Sequence, residues 1–84
     1  MFLDAISENI AELNDALSKD NFEQIARVGH NMKGSGGGYG FDKISIIGSQ
    51  IEQAGKNRNK EPIPGLLSEL SDYMQRVEII YQEM

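Results

Sequence analysis

The stretch "GHNMKGSGGGYGFD", Gly29 to Asp42, decides how the rest of the chain is read. It holds the only histidine of the sequence, His30, then Lys33, and then five glycines between positions 34 and 40. A phosphate-cradling loop fails on spacing. A Walker loop sets its lysine after the glycines and follows a strand, whereas Lys33 precedes them and no strand comes before. The dinucleotide pattern G-x-G-x-x-G ends on Tyr39 when started at Gly34 and on Phe41 when started at Gly36. A linker is the stronger alternative. Glycine inside a helix costs about 1 kcal/mol relative to alanine, and Gly36, Gly37 and Gly38 in a row could end one. Yet the apolar period continues as far as Tyr39, and a new helical stripe starts at Phe41 with no polar spacer. The stretch therefore reads as a helix running through Gly36 and fraying between Gly37 and Gly40. Its glycines would let two helices pack closely.

Working outward, helical periodicity marks four segments. Phe2, Ile6, Ile10, Leu13 and Leu17 line one face of a helix over about Phe2 to Ser18. The second helix starts at Asp20 or Asn21, where Asp20 with Glu23 fits a capping box. Its inward face is Phe22, Ile25, Gly29, Met32 and Gly36. The third runs from about Phe41 to Lys56, with Phe41, Ile44, Ile47, Gly48, Ile51, Ala54 and Gly55 on one side. "KNRNKEPIP" is a polar, proline-bearing turn. The fourth starts near Pro62 to Gly65 and carries Leu66, Leu70, Tyr73, Val77 and Ile80, widened by Leu67, Met74 and Tyr81. Nothing alternates as a strand would. The expected fold is all-α, a four-helix antiparallel up-down bundle forming one domain over residues 1–84. Its expected core is Ile6, Ile10, Leu13, Leu17, Phe22, Ile25, Met32, Ile44, Ile51, Leu66, Leu70, Met74 and Val77.

Composition narrows the function. The 84 residues include no cysteine, so disulfides, thiolate metal sites and thiol catalysis are excluded. A single histidine argues against a zinc site, and no metal is expected. The net charge of -5 argues against nucleic acid as a partner. No apolar run reaches membrane-spanning length, so membrane insertion is not expected. The N-terminus has no basic n-region of a signal peptide, and the expected location is cytoplasmic. The basic residues gather in two places, Arg27, Lys33 and Lys43 around the glycines, and Lys56, Arg58 and Lys60 later. An acidic body with a local basic spot suits a protein partner that is acidic where it docks.

On a helical wheel His30 lies roughly 120° from the centre of the inward face, on an accessible flank. Lys33 and Gly34 are its i+3 and i+4 neighbours on the same side. A lone histidine is often only a surface polar residue. Gly34 adds no packing, and makes sense if another surface must reach the imidazole. Lys33 makes sense if the imidazole carries negative charge at some stage, such as a phosphoryl group.

"HNMKGSGGGYG" resembles the H-x-x-K-G-x-x-x-x-x-G signature of histidine-containing phosphotransfer (HPt) domains. His30, Lys33, Gly34 and Gly40 fall on its fixed positions, and Ser35 is also common there. The likeness extends over nearly the whole chain, through the four helices and the small Gly29 before the histidine. It implies a carrier in a two-component phosphorelay, passing a phosphoryl group to or from a receiver-domain aspartate. His30 would be the phosphoacceptor through Nε2, with Lys33 beside the phosphoryl oxygens. Gly34 would keep the approach open to the partner, with Arg27 and Gly37 on the same path. Such domains often set a Gln or Glu of the next helix on the other imidazole nitrogen, and Glu52 is at the matching offset. A carboxylate accepting Nδ1–H would fix the tautomer that leaves Nε2 unprotonated. The alternative for Glu52 is a solvated acid paired with Lys56 at i+4. Ser49 and Lys43 are weaker candidates for the rim.

The resemblance further implies no cofactor of the chain's own, with Mg²⁺ supplied by the receiver. The partners would be a response-regulator receiver domain, a hybrid histidine kinase, or both. The chain would be a phosphotransfer intermediate, not an enzyme, and a monomer. Gly36, Gly37 and Gly38 are more glycine than the family usually carries; many members have an extra N-terminal helix, which is either absent here or was left behind on a larger hybrid kinase from which these residues were cut. The other open reading is a helical docking or adaptor domain in which His30 is incidental. A hydrolase with His30 as base lacks a recognisable nucleophile.

Overall fold

A computed structural model describes residues 2–83, with side chains described for 4–77. It is an all-α four-helix bundle: α1 is Phe2–Ser18, α2 Phe22–Gly38, α3 Asp42–Lys56 and α4 Ile63–Glu83. The bundle is 41 Å long and about half as wide, at 22 × 19 Å. α2 and α3 form by far the closest pair; α1 rests on α2, α4 on α3, and α1 and α4 touch least.

The α2–α3 pair is close because glycines let the backbones meet. A Cβ on Gly29 would lie 2.5 Å from the Glu52 backbone nitrogen, and one on Gly48 2.6 Å from that of Lys33. Gly36 meets the Ser45 nitrogen at 2.6 Å and Gly55 the Ala26 nitrogen at 2.6 Å. In each helix the two glycines are seven residues apart, two turns on one face. The inward face read from periodicity is thus a seam of backbone against backbone.

The glycine run is helical further than expected. α2 continues through Gly38. It stops where Gly40 takes φ 80°, Gly40 N–H donates to Gly37 O and Phe41 N–H to Gly36 O. That is a Schellman ending, for which glycine is the usual residue. The same pair of bonds closes α1 at Asp20 (φ 56°) and α3 at Arg58 (φ 54°). This corrects the expected capping box. Asp20 cannot cap α2, because it closes α1 and pairs with Lys60. Asn21 is the cap: its side chain accepts from the Gln24 N–H and donates to Gln24 Oε1.

The core is Ile6, Leu13, Ile25, Met32, Ile44, Ile51, Leu70, Met74 and Val77 as expected, plus Ala16, Val28, Ile47, Ala54, Ile63 and Leu67. Ile10, Leu17, Phe22 and Leu66, expected inside, are only half-buried at its edge. Ile63, read as part of the turn, is fully buried and seats the start of α4. The expected stripe positions Phe2, Ile80 and Tyr81 have side chains outside the described ones.

Candidate functional site

His30 projects from the middle of α2 on the side away from the core, its side chain 68% exposed. Its Nδ1 lies 3.0 Å from Oε2 of Glu52 on α3. Among the described residues Nε2 has no partner. An ionised carboxylate only accepts, so in a neutral ring this contact favours the tautomer with the proton on Nδ1 and the lone pair on Nε2.

Glu52 is the one buried charged residue among those described. It is buried because the Gly29–Gly48 seam draws α2 over it, with the Glu52 nitrogen and Cα directly beneath Gly29. Its Oε2 also lies 3.4 Å from Lys56 Nζ. His30 and Lys56 therefore both lie against one oxygen of Glu52, and the carboxylate is buried, not solvated. Burial works to raise the Glu52 pKa. The hydrogen bonds from Lys56 and His30, with their charges, outweigh it and hold the carboxyl below its ordinary value.

The other residues singled out from sequence divide into those near the ring and those elsewhere. Gly37 and Gly34 lie about 20° and 40° round the helix from His30, at i+7 and i+4, and Lys33 and Arg27 about 60° away at i±3. All four are exposed. Nothing approaches within 4 Å of a Cβ on Gly34, and Gly37 would meet only Ser45 Oγ at 3.8 Å. Among the described residues neither Arg27 nor Lys33 has an ion-pair partner, while Lys43, Lys56 and Lys60 each have one. Ser45 Oγ donates to the Lys33 carbonyl at 2.9 Å, tying α3 to α2 one turn from the ring. Ser45 was not singled out from sequence; it is a cross-helix anchor that only the register reveals.

Ser35 and Lys43 are not brought to the site. Ser35 is about 140° round α2 from His30, and its carbonyl accepts from Tyr39 N–H. Lys43 turns to α4, where its ammonium pairs with Glu69 at 3.0 Å. Gly40 acts at the end of α2 and not at the ring. Ser49 is half-buried and lines a groove of about 360 Å³ with Gln50, Gln53 and Asn57.

Among the described residues no three His, Asp or Glu side chains gather as a metal site would require. No helix among them is long and apolar enough to cross a membrane. None of the curated proteins and none of the solved structures matches the chain. One family model does match, that of the Hpt domain, over residues 1–79. With nearly its full length matched, and with a four-helix bundle presenting an exposed histidine, the chain belongs to the Hpt domain family, the histidine phosphotransfer domains of phosphorelays.

Proposed function

We propose that the chain carries a phosphoryl group on Nε2 of His30, exchanged with the aspartate of a receiver domain. The observation that carries this is the 3.0 Å contact between His30 Nδ1 and the Glu52 carboxylate, on a ring whose other nitrogen faces solvent. In acceptance, the Nε2 lone pair attacks phosphorus of an aspartyl phosphate. The P–O bond to the aspartate breaks, and its electron pair returns to that carboxylate. The proton on Nδ1 stays there, and the positive charge that develops on the ring is met by Glu52. Return to an aspartate reverses these steps.

Lys33 and Arg27 supply positive charge at i±3, where phosphoryl oxygens would sit, and both are free of competing carboxylates among the described residues. Gly34 and Gly37 leave the approach clear of side chains. The chain contributes nucleophile, orientation and access. The receiver or kinase supplies the catalytic groups, including the receiver's Mg²⁺. The expected setting is the cytoplasm, where such partners act, and the expected state is a monomer.

The test is transfer of radiolabelled phosphate from a phosphorylated receiver domain to the wild type and to His30→Gln. Label reaching only the wild type, acid-labile and base-stable, is the expected result. Label on His30→Gln would move the acceptor elsewhere. No label on either, from several receivers and with helical spectra intact, would favour the adaptor.

A further inference from the structure

Orienting the ring requires one contact to Glu52, yet the same oxygen has two: His30 Nδ1 at 3.0 Å and Lys56 Nζ at 3.4 Å. The second contact changes the charge that the ring meets. A buried carboxylate with a single partner draws positive charge onto that partner, because an uncompensated buried charge is costly. With His30 as sole partner, the imidazole would be pulled toward imidazolium. Both nitrogens would then carry protons, and Nε2 would have no lone pair with which to attack. An ammonium on the same oxygen supplies the countercharge instead.

We propose that Lys56 is a positioning residue for phosphoryl transfer, compensating Glu52 so that His30 is gripped at Nδ1–H while the ring stays neutral and Nε2 stays free. This rests on the reading of His30 as phosphoacceptor, and extends it to a residue outside the histidine motif. The geometry suits the role. Glu52 and Lys56 are i, i+4 on α3 with the acid first, the favourable order. The lysine side chain is 59% exposed and that of Glu52 10%, so the ammonium keeps its hydration while touching a carboxylate that has little.

Among the described residues, no other charged group duplicates this contact. On α2, Glu23, Arg27 and Lys33 share the His30 side of the helix, but none pairs with Glu52. The ion pairs involving α1 and α4, Asp15–Lys19, Lys43–Glu69 and Asp72–Arg76, are formed without His30 or Glu52. A lysine in the last turn of α3 would also favour the helix end by its charge alone. That role would leave the ring unaffected, so the two can be separated.

His30 is the sole histidine, so its ring protons can be followed by NMR without assignment. The titration is compared in wild type, Lys56→Met, Lys56→Arg, Glu52→Gln and the Glu52→Gln/Lys56→Met double variant. Lys56→Met is expected to move the ring titration to higher pH, carrying the acid limb of the transfer profile with it. Lys56→Arg is expected to restore both. With Glu52→Gln in place the Lys56→Met shift is expected to shrink, because the carboxylate through which it acts is gone. An unmoved titration with a lowered melting temperature would overturn the proposal and leave Lys56 as a helix-end charge. A shift just as large in the Glu52→Gln background would also overturn it, since the lysine would then act through solvent. The titration needs no partner. If it moves as expected while the wild type accepts no phosphate, the phosphoacceptor reading fails and control of the ring's charge stands.

Discussion

Gly29 and Gly36 lie on the face of α2 that meets α3, and Gly34 and Gly38 on the face that meets solvent. The first two have α3 backbone atoms within 2.6 Å of where a Cβ would stand; the second two have nothing within 4 Å. One residue type thus serves two ends on one helix. The inner glycines are required by packing. The outer ones are required by nothing inside the molecule, and in a helix they weaken it. Under the proposed function, Gly34 would leave room for a receiver to come close.

The contrast can be broken or sharpened by substitution. Gly29→Ala forces α3 away from α2, and should cost about 3 kcal/mol, near the upper end of ordinary overpacking. Urea denaturation measures this; an unchanged midpoint would show that the seam yields freely. On the outer face, Gly34→Leu should leave the urea midpoint intact or raised, while slowing transfer from a receiver by about tenfold or more, ~1.4 kcal/mol in barrier. Transfer at the wild-type rate would mean that the partner approaches from another side. Gly34→Ala should stabilise the fold by about 1 kcal/mol, a rise of about 5 °C in Tm for a domain of this size. A fall in Tm would deny that the outer glycines are free of packing.

The smallest effect concerns pH. The Glu52 carboxyl is held below its ordinary value in the folded chain. The stability it adds is therefore fully present above the ordinary carboxylate value of about 4.3. It is lost as pH falls through the lowered folded value, because the unfolded chain takes up the proton first. Thermal melts of the wild type should decline more steeply with acid in that window than those of Glu52→Gln. Parallel curves would show that the Lys56 and His30 contacts do not favour the ionised form.

Much of this was legible in the sequence, because helical period survives wherever a face is continuous. Gly29 and Gly36, and Gly48 and Gly55, fell on the inward faces that carry them. What period could not show is how closely those faces approach, and that approach is what buries Glu52 and lets His30 and Lys56 share its oxygen. The cap of α2 was missed by one residue. Asp20–Glu23 and Asn21–Gln24 both satisfy the pattern, and the choice turns on Asp20 taking φ 56° to close α1. Ala54 stood on the inward side of α3 without entering the expected core, Ala16 stood in neither, and Ile63 was hidden beside two prolines. Lys43 was set near the site by sequence proximity, whereas its partner Glu69 lies on α4, which no local signal reveals.

The most direct test of the account is the tautomer of His30 in the resting protein. Long-range ¹H–¹⁵N correlation on the single imidazole reports which nitrogen carries the proton, at a pH where the ring is neutral. The account predicts the proton on Nδ1, held by Glu52, with Nε2 showing the shift of an unprotonated nitrogen, and loss of that preference in Glu52→Ala. A ring protonated on Nε2, in wild type and Glu52→Ala alike, would contradict it, since the nitrogen facing the partner would then have no electron pair to offer.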